Sequence, residues 1–195
     1  YAPTVKEFRQ FVAKQAQGEP PVTVAELGGA GASIDLDQPF AVVLQHPVTT
    51  EADQAGEQMR TTLEAITMPA VVFWPGEDAG QEAMAKQIRL QQQRCHTVRT
   101  LPPSRFLRLL TQAAVLVGNS SAGIREASYL GVPVVNIGTR QHGRERGANV
   151  RDVSYVTSAI RESVAVLSQC GRYPSSTLYG RGDAGQQIAE VIRGI

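Results

Sequence analysis

The densest group of chemically capable residues lies within a few positions of one another: Ser120, Ser121, Gly123 and Glu126. They follow the apolar run Val115-Leu116-Val117 and the pair Gly118-Asn119. A buried strand, a turn of small polar residues and a helix opening at once form a ready site for an anion. The first turn of a helix has unpaired N–H groups at the positive end of its dipole. Ser120 and Ser121 add hydroxyl donors. Gly123 sits early in the helix, where glycine costs about 1 kcal/mol against alanine. That cost points to close packing or close approach of a ligand. Glu126, about a turn further on, could accept from the hydroxyls of a ligand whose phosphates rest at the helix start. Phosphate with vicinal hydroxyls describes a nucleotide. The same Asn-Ser-Ser turn is also ordinary N-cap chemistry, although Glu126 stands too far from either serine to complete a capping box.

His46 is the leading titratable candidate. It ends the apolar run Phe40 to Gln45, and Pro47 holds it extended. A histidine there can donate to a diphosphate or exchange a proton, because its pKa can be set near neutrality. It can equally be bonded locally at a strand end. Arg140 can pair with phosphate in bidentate fashion, or be one of several surface arginines in the loop that holds Arg144 and Arg146. His96 and His142 read as structural or solvent-exposed. Glu77 and Asp78 read as caps of the helix that follows them rather than as a catalytic pair. There is no nucleophile elbow, Walker sequence, zinc spacing or aromatic platform for bases. No metal and no cofactor are expected.

The elements that position these residues are legible from hydrophobic runs and their punctuation. Strands are expected at Phe40 to Gln45, Ala70 to Trp74, Cys95 to Val98, Val115 to Gly118, Val134 to Ile137 and within Val150 to Val156. Helices are expected over Pro3 to Gln17, Glu51 to Ile66, Gln81 to Gln93, from Pro102-Pro103 through Leu110, from the serine turn to Tyr129, Thr157 to Gln169 and Ala184 to Arg193. Such alternation implies an α/β fold, Rossmann-like, with a parallel sheet and helices on both faces. The loops at His46, Ser120 and Arg140 then share the carboxyl edge of the sheet, where ligands bind in open α/β folds. The run Gly28 to Ser33 lacks dinucleotide-loop spacing and reads as linker or turn.

The chain has 195 residues, 42% of them hydrophobic, and a formal net charge of +1. That balance gives no electrostatic case for nucleic acid or an anionic membrane, and no apolar run reaches the length of a membrane span. Cys95 and Cys170 are far apart, which fits a reducing, cytoplasmic setting better than a disulfide scaffold. The opening Tyr1-Ala2-Pro3 suggests a chain that begins inside a longer protein. Residues 1–39 are expected to be an N-terminal helix and linker, and residues 40–195 a single Rossmann-like domain.

Three ordered motifs carry a family resemblance: His46-Pro47-Val48-Thr49-Thr50; Gly118 to Glu126; and Gly131-Val132-Pro133 through Arg144. They resemble UDP-N-acetylglucosamine 2-epimerases, most closely the hydrolysing branch that makes N-acetylmannosamine for sialic acids. Tyr173 to Ser176 and Tyr179-Gly180 resemble the end of that family's chain. The resemblance implies the C-terminal half of a glycosyltransferase-B-like fold, in which two Rossmann-like domains enclose the active site. It implies UDP and a UDP-amino sugar as partners, the diphosphate on Ser120 and Ser121, the ribose hydroxyls on Glu126, His46 and Arg140 near phosphates and sugar, and the backbone around Leu101 facing the uracil. It further implies a homo-oligomer for the complete protein. In the hydrolysing reaction UDP is eliminated to leave a glycal, and water adds with inversion at C2. The family often has Asn at the position of Gly76, so a polar contact from that loop does not carry over. Its catalytic carboxylates come largely from an N-terminal domain, so this chain alone is expected to be inactive. The alternative class is the nucleotide-sugar-binding half of a glycosyltransferase.

Overall fold

The computed structural model describes residues 20–180 and 183–194. The helix expected over Pro3 to Gln17 lies outside these residues. Among the described residues the sheet has seven strands in the order β1-β4-β3-β2-β5-β6-β7. The strands are β1 (Ala30–Gly31), β2 (Ala41–Leu44), β3 (Ala70–Phe73), β4 (His96–Val98), β5 (Val115–Gly118), β6 (Val134–Ile137) and β7 (Val150–Val153). Strands β2 to β7 pair in parallel and only β1 runs antiparallel, against β4.

Every residue of β2, β3, β5 and β6 is buried. That is why these strands read as unbroken apolar runs: a parallel sheet is covered on both faces. Alternate residues divide between two cores. Val42, Leu44, Val71, Phe73 and Leu116 face one layer, formed by α1 (Val24–Leu27), α4 (Pro103–Gln112), α5 (Ser121–Ile124) and α6 (Glu126–Leu130). Ala41, Val43, Val72, Val115 and Val117 face the other, formed by α2 (Ala55–Ala65), α3 (Gln81–Gln91) and α7 (Thr157–Leu167). A final helix, α8 (Ala184–Arg193), buries none of its residues.

Three local readings are corrected. The helix expected to run from the serine turn to Tyr129 is two short helices. It breaks at Arg125 (φ −105°, ψ −77°), and α6 starts with Glu126 already buried. The run Gly28 to Ser33 is not merely a turn, because Ala30 and Gly31 pair with Thr97 and His96 as an edge strand. Both ring nitrogens of His96 face backbone carbonyls of this segment, Ala32 at 3.0 Å and Gly28 at 2.6 Å, so His96 is structural. Neither Glu77 nor Asp78 caps α3. Its N-cap is Gly80, in the left-handed region at φ +94°.

The sheet's chain order reverses between β2 and β5. The chain leaves β2 towards β3 and β4, then returns to the other side of β2 as β5. Above their carboxyl ends lies the crevice where open α/β sheets bind ligands. Leu44 pairs with Gly118 at the last rung. Gly118 adopts φ +136°, and a Cβ there would overlap the Leu44 carbonyl oxygen. We expect Gly118→Ala to lose about 1–3 kcal/mol from backbone strain alone, read as a lowered midpoint in thermal unfolding. An unchanged midpoint would mean that this rung does not constrain the backbone.

Candidate functional site

The loops after β2, β5 and β6 meet above this crevice, and Asn119 joins them. Its side-chain Oδ1 accepts from the His46 backbone N–H at 2.8 Å. Its Nδ2 donates to the His46 carbonyl at 2.8 Å and to the Tyr155 hydroxyl at 3.5 Å. Its main-chain carbonyl accepts from Arg140 at 3.3 Å and from the side chain of Gln141 at 2.7 Å. The convergence of His46, the serine turn and Arg140 expected from topology is therefore present. Gln141 is 1% exposed, and its backbone carbonyl takes a hydrogen bond from Arg146 at 2.9 Å. Arg146 in turn reaches Asp152 of β7 at 3.1 Å. These bonds fix the glycine-punctuated loop, while His142 and Arg144 stay exposed.

Ser120 is the N-cap of α5, its hydroxyl accepting from the Ala122 N–H at 3.3 Å. Ser121 lies half-buried beside it. Packing gives one reason for Gly123: a Cβ would sit 3.0 Å from Val134 Cγ1. Glu126 is 5% exposed. Among the described residues its Oε2 has no hydrogen-bond partner, and the Arg125 guanidinium stands 3.7 Å from Oε1. Burial pushes the Glu126 carboxyl above its ordinary range, against a hydrogen bond at its own main chain and the charge of Arg125. A buried polar atom without a partner costs roughly 1–3 kcal/mol, so the orphaned oxygen marks a place where the fold leaves bonding capacity unused.

On the other side of His46 is a cavity of 190 Å³, lined by Leu44, His46, Phe73, Trp74, Pro75, Gly76, Arg99, Thr100, Leu101 and Phe106. Its volume suits one planar ring system rather than a whole nucleotide. Phe73 and Phe106 form one wall, edge to face at 5.7 Å. Leu101, 5% exposed, and His46 thus border the same space. A larger cavity of 310 Å³ lies at the opposite, amino end of β3 and β4, beside Cys95. None of His46, Leu101, Ser120, Ser121, Gly123, Glu126 and Arg140 lines it.

The ring of His46 is oriented by the loop after β3. The Gly76 N–H donates to Nδ1 at 3.3 Å. An imidazole that accepts at Nδ1 carries its proton at Nε2. The contact thus comes from the main chain of the loop, not from a side chain. The near-neutral pKa expected of His46 is not found. Burial, then the Arg140 cation, push it down to about 4, although the Asp78 carboxylate opposes them. His46 is consequently a neutral N–H donor near pH 7.

Sequence reasoning missed Asn119, the Gly76 amide, Gln141 and the aromatic walls Trp74 and Phe106. Asn119 was legible only as an N-cap candidate, but Ser120 takes that role and frees the carboxamide for His46.

Residues 21–193 match the family described as UDP-N-acetylglucosamine 2-epimerase. The protein of that name from Neisseria meningitidis serogroup B is 32% identical over 160 residues, covering 78% of this chain and 42% of its own length. The chain belongs to the UDP-N-acetylglucosamine 2-epimerase family. A UDP-N,N'-diacetylbacillosamine 2-epimerase (hydrolyzing) from Legionella pneumophila is 27% identical over 83% of this chain and 44% of its own. The chain therefore spans less than half the length of these curated epimerases. In the crystal structure of the Neisseria meningitidis UDP-GlcNAc 2-epimerase bound to UDP-GlcNAc, the same fold recurs with a TM-score of 0.63 at 16% identity. That match covers 83% of this chain and 46% of that one.

The depressed pKa of His46 has a consequence for this family member's stability. As pH falls below 6.5, the ordinary histidine value, the unfolded chain takes up the proton before the folded one does. Stability is full above that value and falls as the pH drops towards about 4. We expect the His46 ring resonances to shift only near pH 4 in an NMR titration. His46→Gln should flatten this part of the stability profile. Titration of the ring between pH 6 and 7 would contradict the burial argument.

Proposed function

We propose that this chain is the UDP-binding part of a hydrolysing UDP-N-acetylglucosamine 2-epimerase. The supporting observation is the buried Glu126 oxygen, without a partner among the described residues and set after the Asn119-Ser120-Ser121 turn, in a fold where His46 borders an aromatic-walled cavity. In this reading the uracil enters the cavity beside Leu101, and the ribose hydroxyls donate to Glu126. Ser121 and Arg140 hold the diphosphate, with Ser120 shaping the turn through its cap. His46 donates from Nε2 to the diphosphate or to the sugar beside it without adding a charge. Gly123 serves through packing, by bringing the turn close to the sheet.

The reaction removes the C2 proton and the C1-linked UDP together to leave a glycal. Water then supplies a hydroxyl to C1 and a proton to C2 on the opposite face, giving N-acetylmannosamine. The groups that move the C2 proton belong to the half of the epimerase that this chain does not span, so the chain alone binds but does not turn over. The UDP-GlcNAc bound in the Neisseria structure and the hydrolysing Legionella relative support this assignment.

Glu126→Gln separates binding from stability. A carboxyl whose folded-state pKa is raised loses stability as pH rises above the ordinary value of 4.5. The ligand-free variant should therefore melt higher than wild type at pH 7, with the gain shrinking towards pH 4. Its affinity for UDP in calorimetry should nonetheless fall, by about 10- to 100-fold, the worth of a charge-assisted hydrogen bond. Wild-type protein that binds no UDP, or a variant that binds it equally well, would overturn the assignment of Glu126 to the ribose. Release of UDP from UDP-N-acetylglucosamine by this chain at an enzymatic rate would overturn its inactivity.

A further inference from the structure

We propose that Asn119 is the positioning residue of this site: its carboxamide stands in for one more rung of the β2–β5 ladder and thereby aims the ring of His46. The proposal rests on the nucleotide-binding reading for its consequence on ligand affinity, but not for its geometry. The regular pairing of the two strands ends with Leu44 and Gly118. Gly118, at φ +136°, turns the chain away from the extended course that would carry the ladder further. Two residues beyond Leu44, His46 would then be left with its N–H and C=O unmatched on that side. The Asn119 side chain supplies one acceptor and one donor, each at 2.8 Å, to those two groups of the same residue. A carboxamide reproduces the donor and acceptor of a peptide unit, and among side chains only Asn and Gln carry both in one rigid plane.

The main chain of His46 is thereby fixed from the β5 side, while its ring is fixed from the β3 side by the Gly76 N–H at 3.3 Å. The two constraints act together. The weaker ring contact survives only if the backbone that carries the ring does not drift. The same residue also bonds Arg140 through its own carbonyl. Asn119 therefore sets the neutral donor and the cation of the site in one frame. Its carboxamide is wholly buried, so it acts on a ligand only through His46 and Arg140.

The test uses histidine-labelled, ligand-free protein and long-range proton–nitrogen correlation spectra at neutral pH. In wild type, His46 should show a pyridine-type Nδ1 and a pyrrole-type Nε2. Asn119→Ala, recorded well below its own melting temperature, should show His46 averaged between its two tautomers, and its affinity for UDP should fall by about 10-fold or more. Asn119→Asp keeps the acceptor for the His46 N–H in an isosteric frame and loses the donor. It should also release the tautomer, and it decides the matter if the alanine variant does not fold. A folded variant that lowers the melting temperature but keeps a single Nε2–H tautomer would overturn the proposal, because Asn119 would then be structural only. If the tautomer is released while wild type binds no UDP, the positioning role stands and the nucleotide reading fails. If wild type binds UDP and the tautomer is not released, the reverse holds.

Discussion

The pairing of β2 with β5 is the constraint on which the rest of this structure depends. It joins the half-sheet β4-β3-β2 to the half-sheet β5-β6-β7, and it is where chain order reverses. All rungs from Ala41↔Val115 to Leu44↔Gly118 lie in fully buried strands. A one-residue shift in register there would exchange the residues facing the two cores. The crevice above that pair is a consequence of topology. What fills it is decided by the residues that follow each strand.

Those residues divide the electrostatic labour by burial. Glu126 is an acid held in surroundings that disfavour its charge. His46 is a base held in surroundings that disfavour its proton. Arg140 remains exposed, tethered by one hydrogen bond. A ligand with hydroxyls and phosphates would satisfy the acid and the cation at once. The arrangement costs stability in the empty protein, as sites with unused bonding capacity do.

The position of Gly76 shows how a local departure is absorbed. A Cβ at residue 76 would come within 3.6 Å of His46 Nδ1 and 3.8 Å of Asp78 Oδ2. A side chain there would enter the space between them. With glycine, the loop instead addresses the histidine through its main chain. Backbone donors are available to any sequence, so this contact left no mark in the residue types.

The sequence by itself determined the layers and the candidate list. Buried parallel strands need apolar side chains on both faces, so Ala41–Leu44, Ala70–Phe73, Val115–Gly118 and Val134–Ile137 were legible as uninterrupted runs. Their alternation with amphipathic segments such as Pro103–Gln112 required right-handed crossovers, and so brought His46, Ser120 and Arg140 to one edge. Only the tertiary structure decided which atoms face each other. It set the break at Arg125 that accompanies a buried Glu126, and the rung made by Asn119 and the amide of Gly76 join segments dozens of residues apart. Periodicity reports which face of an element is covered, because burial is an average over neighbours. A hydrogen bond depends on the direction of one donor and one acceptor, and only the folded chain fixes that direction.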